Sequence, residues 1–82
     1  MSEIAESERR VRSVRAEWDP EAQVWVAESD DVPGLVTEAD TIEELIGRLQ
    51  VLIPELLELN GVGEELPIEL VARLPARELR AA

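Results

Sequence analysis

The sequence predicts an α+β domain of order β-β-β-α-β, with a mixed four-stranded sheet in the order 3-2-1-4 and one helix on one face. Three observations predict it. Short apolar runs of strand character are separated by turn residues in the first half of the chain. One long stripe of aliphatic residues at helical spacing follows, opened by a capping motif. A last alternating run then closes the pattern.

The first strand is read from Val11 to Trp18, where Val14, Ala16 and Trp18 alternate with Ser13, Arg15 and Glu17, the period of a half-buried strand. Asp19-Pro20-Glu21-Ala22-Gln23 reads as a hairpin loop, because proline fixes φ and the Asp side chain initiates turns. The second strand, Val24-Trp25-Val26-Ala27-Glu28, is apolar on both faces, which suits a central strand or one whose second face meets a partner. Asp30-Asp31-Val32-Pro33-Gly34 is a bend, since proline cannot donate to a ladder. A short third strand runs from Leu35 to Glu38.

Thr41-Ile42-Glu43-Glu44 has capping-box spacing, and Asp40 and Glu43 suit the positive end of the helix dipole. Ile42, Leu45, Ile46, Leu49, Leu52, Ile53, Leu56 and Leu57 form the stripe, and Asn60-Gly61 supplies the stop. Pro54 removes the bond to the Gln50 carbonyl at a cost of about 3 kcal/mol, so a kink or two short helices are expected. Gly61 to Pro67 is a loop. Ile68, Leu70, Ala72 and Leu74 alternate with Glu69, Val71 and Arg73 as the fourth strand, and Pro75 stops it. Two hairpin connections make the first three strands a meander. A right-handed crossover through the helix lays the fourth strand parallel to the first.

At 82 residues the chain holds one domain with a thin core, burying roughly 60% of its unfolded surface. Residues 1–10 read as a flexible tail, 11–75 as the domain and 76–82 as a C-terminal tail. The chain has no cysteine, so neither disulfides nor a thiolate metal site support it. The N-terminus lacks the apolar run of a signal peptide. The hydrophobic region Leu45 to Leu59 is interrupted by Gly47, Arg48, Gln50, Pro54, Glu55 and Glu58, so no membrane span is expected and the cytoplasm is the expected location.

Formal net charge is −11 and every basic residue is arginine. No basic residue lies between Arg15 and Arg48, while ten carboxylates do, from Glu17 to Glu44. That charge repels a phosphate backbone, so direct nucleic-acid binding is not expected. It attracts a basic partner, with faster association at low salt.

No catalytic residue, metal site or cofactor emerges. Histidine and cysteine are absent, which removes the usual general base and thiol nucleophile. Ser29-Asp30-Asp31 lacks the ligand spacing of a calcium loop. A non-enzymatic binding role is therefore expected, with Trp25, Glu28, Asp30, Asp31, Glu38, Leu56 and Leu57 as its candidate residues. Trp25 has two placements. It is either a core aromatic, or it lies with Ala27 on the open face while Val24 and Val26 face the helix, where it would anchor an interface. Leu56, Leu57 and Leu59, beyond Pro54, exceed what so short a sheet needs and could serve a second subunit.

Three segments carry a family resemblance. Trp18-Asp19-Pro20-Glu21-Ala22-Gln23-Val24-Trp25-Val26-Ala27, the bend Asp31-Val32-Pro33-Gly34-Leu35, and Ala39-Asp40-Thr41-Ile42-Glu43-Glu44-Leu45 together resemble the HicB-like antitoxin group, in particular its short, uncharacterised members. The resemblance implies a shortened ribonuclease-H-like fold of the same element order. It also implies neutralisation of a small basic RNA-cleaving toxin. Many members carry a C-terminal DNA-binding module, for which no room is expected after this fourth strand. A homo-oligomeric structural or regulatory domain without a toxin partner is the competing expectation. The ribonuclease-H likeness also raises nuclease chemistry, which needs carboxylates converging on divalent metal ions. Glu17, Glu43 or Glu44, and Glu69 are its candidates, but Glu17 lies near the strand end, the helix-start pair serves the cap and Glu69 faces away from Leu70, so no such activity is expected.

Overall fold

The computed structural model describes residues 10–75; the two tails read at 1–10 and 76–82 lie, apart from Arg10, outside the described residues. The elements are β1 (Arg12–Asp19), β2 (Val24–Glu28), β3 (Val36–Ala39), α1 (Ile42–Leu59) and β4 (Ile68–Arg73). They form one sheet in the order β3-β2-β1-β4. β1 pairs antiparallel with β2 and parallel with β4, and β2 pairs antiparallel with β3. This is the α+β architecture that the sequence predicts.

The alternation in β1 places Val14 and Ala16 in the core, while Arg15 and Glu17 are exposed. Register carries this parity across the sheet. Ala16 stands opposite Ala27, and Trp18 opposite Trp25, which in turn faces Ala39. These residues share the face that packs on α1, where Leu45, Leu49 and Ile53 are buried. Val32 and Leu35 complete the core from the bend.

The strand boundaries differ by one residue from the sequence reading. β1 ends at Asp19 rather than Trp18, and β3 starts at Val36 rather than Leu35. The first shift comes from the turn. The Asp19 carboxylate accepts from the N–H groups of Glu21 (3.0 Å) and Ala22 (3.3 Å). Its carbonyl accepts from Gln23 N–H at 2.7 Å. Gln23 takes the left-handed conformation (φ 61°) that closes the loop. The second shift arises because Leu35 closes a turn, its N–H donating to Val32 O at 3.1 Å. Pro33 at the second position and Gly34 (φ +81°) at the third are what a type II turn requires.

α1 runs unbroken through Pro54, so of the two expectations, a kink or two short helices, the division does not occur. Gln50 and Pro54 are both exposed, which leaves the freed carbonyl open to water, and burial of Ile53 and Leu49 holds the helix on the sheet. Its start is capped as predicted: Thr41 Oγ1 accepts from Glu44 N–H at 3.0 Å. Its end is a Schellman motif. Gly61 (φ +69°) donates to Glu58 O at 3.1 Å and Val62 donates to Leu57 O at 2.9 Å.

Candidate protein-binding face

The described residues leave the face of the sheet turned away from α1 uncovered. The register assigns it. Arg15, Glu17 and Asp19 of β1 stand opposite Glu28, Val26 and Val24 of β2, and Glu38 and Val36 of β3 stand opposite Val26 and Glu28. On the other side Glu69, Val71 and Arg73 of β4 face Ser13, Arg15 and Glu17. Four valines therefore lie among five carboxylates and two guanidinium groups. Val36 is 71% exposed and Val71 is 42% exposed. Val24 and Val26 are half-buried by their neighbours.

Few of these charges are tied down. Arg15 approaches Asp30 at 3.4 Å and Glu28 at 4.0 Å, all three side chains well exposed. Such pairs contribute little beyond local order. Arg73, Glu17, Glu38 and Glu69 have no ion pair within 4 Å among the described residues. Asp19 is engaged in its turn.

The predicted binding residues separate into two groups. Glu28 and Glu38 lie on the open face, and Asp30 reaches its edge through Arg15. Trp25 does not. The placement with Trp25 and Ala27 outward is overturned: Ala27 is fully buried, and Trp25 packs on the core and edge-on to Trp18, with ring centroids 5.5 Å apart. The residues that face outward are Val24 and Val26. Asp31 is spent on structure. Its carboxylate accepts from Ser13 N–H at 2.7 Å, and Ser29 Oγ donates to Ser13 O at 2.6 Å while accepting from Asp31 N–H at 2.9 Å. Leu56 and Leu57 are half-buried against the core. Leu56 Cδ2 lies 3.7 Å from where a Cβ on Gly34 would stand, so Leu56 packs over the bend.

Two features escaped the sequence reading. Arg12 is only 9% exposed, with no carboxylate within 4 Å among the described residues. Its Nη2 donates to Glu64 O at 2.8 Å and its Nη1 to Asp31 O at 3.4 Å. It thereby ties the loop before β4 to the loop before β3. The second feature is an apolar groove of about 440 Å³ between α1 and β4, walled by Ile46, Leu49, Ile53, Pro54, Ile68 and Leu70. Its helix wall, Ile46, Leu49 and Ile53, belongs to the apolar stripe read from the sequence.

No three acidic side chains converge as a bound cation would need, among the described residues. Of the nuclease candidates, Glu17 and Glu69 lie on the open face, while Glu43 and Glu44 sit in the first turn of α1, on the other side of the sheet. Nor is any helix among the described residues long and apolar enough to cross a membrane.

Residues 11–80 match the family described as a domain of unknown function, DUF1902. The chain belongs to DUF1902. A solved chain supports the same fold: the crystal structure of hypothetical protein TTHA1013, from the extremely thermophilic bacterium Thermus thermophilus, is 62% identical. The alignment covers 80% of this chain and 93% of that one, with a TM-score of 0.68. No curated protein matches the chain.

Proposed function

We propose that this DUF1902 domain is a non-catalytic protein-binding module of the HicB antitoxin type, acting in the cytoplasm, whose open sheet face covers the RNA site of a small basic toxin. One observation carries the reading. The uncovered face holds Val24, Val26, Val36 and Val71 inside a frame of carboxylates that are mostly unpaired among the described residues. Apolar side chains gathered on an exposed face gain from being covered. The carboxylates choose the sign of what covers them and speed its approach. The same charge disfavours nucleic acid as the ligand.

The test is calorimetric titration with the small basic protein encoded beside this one, at rising salt. Binding should weaken steeply with salt, and Glu38→Arg combined with Glu28→Arg should slow association by at least tenfold while leaving circular dichroism unchanged. Absence of such a neighbour, or binding indifferent to both salt and the charge reversals, overturns the reading.

A further inference from the structure

We propose that two copies of this chain join through the outer edges of their β4 strands, antiparallel and centred on Val71, to make one continuous eight-stranded sheet. The inference does not rest on the open-face reading: of that face, edge pairing engages only Glu69, Val71 and Arg73 on the β4 margin and leaves Val24, Val26 and Val36 free.

Among the described residues nothing pairs with the outer edge of β4. None of its six residues is buried; Ile68 is 43% exposed and Val71 42%. An exposed strand edge of this length, whose two charges, Glu69 and Arg73, are of opposite sign, is a template for another strand. The opposite edge, β3, is only four residues long and carries Glu38, with Asp40 just beyond it, the features that discourage such pairing.

The backbone phase is fixed by β1. Arg12 N–H donates to Pro67 O at 2.8 Å, and Arg12 pairs with Ile68. In a parallel ladder this turns the N–H and C=O groups of Glu69 and Val71 towards β1 and those of Ile68, Leu70 and Ala72 outward. The outward groups can form hydrogen-bonded pairs of Leu70 with Ala72 of the second copy. Val71 then meets its own symmetry mate at a non-hydrogen-bonded position, where side chains approach most closely.

That register is the one the side chains favour. Glu69 stands opposite Arg73 of the second copy, and Arg73 opposite Glu69, so the strand is charge-complementary to itself about Val71. Shifting the centre to Leu70 puts Glu69 against Val71 and leaves Arg73 without an acidic mate. A two-fold axis perpendicular to the sheet also keeps both helices on one side. The second copy's Leu74 then falls beside Ile68, at the mouth of the groove between α1 and β4.

The full chain is examined by sedimentation across a concentration series, with folding followed by circular dichroism. The wild type should sediment as a dimer. Glu69→Arg alone and Arg73→Glu alone each set like charges across both ends of the contact, and each should halve the mass. An equimolar mixture of the two variants restores both opposite-charge contacts and should give a heterodimer. The mixture separates the contact from any effect of Arg73→Glu on its own neighbour Glu17, which mixing cannot repair. A wild type that stays monomeric at its highest soluble concentration overturns the proposal. Single variants that remain dimeric overturn it too, as does a mixture that remains monomeric.

Discussion

At the β3 side of the sheet, α1 lies close above the strands, and Ala39, Leu35 and Val32 are buried beneath it. At the β4 side, Ile68 and Ala72 point to the same face as Ala39 and remain exposed, and Leu70 is only half-buried. The chemistry of the two sides is alike, with small and branched aliphatic residues in strand alternation. Width makes the difference. Strands stand about 4.8 Å apart, so four of them span more than one helix about 10 Å across can cover. With α1 set over β2 and β3, the deficit falls on β4. A domain with a single helix on four strands is thus sealed on one flank and sticky on the other, and which flank is sticky is decided by where the helix sits.

Substitutions of like size should expose this contrast. Leu45→Ala, in the sealed half, removes a fully buried side chain and should cost about 2–5 kcal/mol in urea denaturation. A loss below about 1 kcal/mol would show that the helix does not bear on β2 and β3 as described. Arg12→Met keeps the length of the side chain but deletes the donors to Glu64 O and Asp31 O. A loss of about 1–3 kcal/mol is expected, with faster hydrogen exchange in the loop before β4. Unchanged exchange there would mean that the guanidinium is not what holds that loop. Leu70→Ala, the counterpart of Leu45→Ala on the open flank, should cost only about 1 kcal/mol when measured at high dilution. Equal costs for the two leucines would erase the contrast.

Much of this was legible beforehand. The β1 alternation, the Thr41 cap and the Asn60-Gly61 stop each rest on a local rule, and each stands in the structure where the rule puts it. The facing of β2 was not legible, since Val24 to Ala27 is apolar throughout and offers no parity of its own. Its face is inherited from the hairpin. Counting Asp19 into the loop pairs Trp18 with Val24 and turns Trp25 outward; counting Asp19 into the strand pairs Trp18 with Trp25 and turns it inward. A one-residue slip reverses every side chain of a strand. The structural part of Asp31 was not legible either: an exposed carboxylate and one that anchors a neighbouring strand through Ser13 N–H look the same in sequence. Pro54 was read as a kink or a division, and the helix runs undivided through it, held by the burial of Leu49 and Ile53.

The pairing of Arg12 with Ile68 also sets an order of events during synthesis. β1 leaves the ribosome early, and its meander with β2 and β3 needs only nearby sequence. The other margin of β1 must wait for a strand that is translated after the whole of α1. Until then the nascent chain carries an unzipped β1 margin, and closing it is a long-range step of the kind that slows folding.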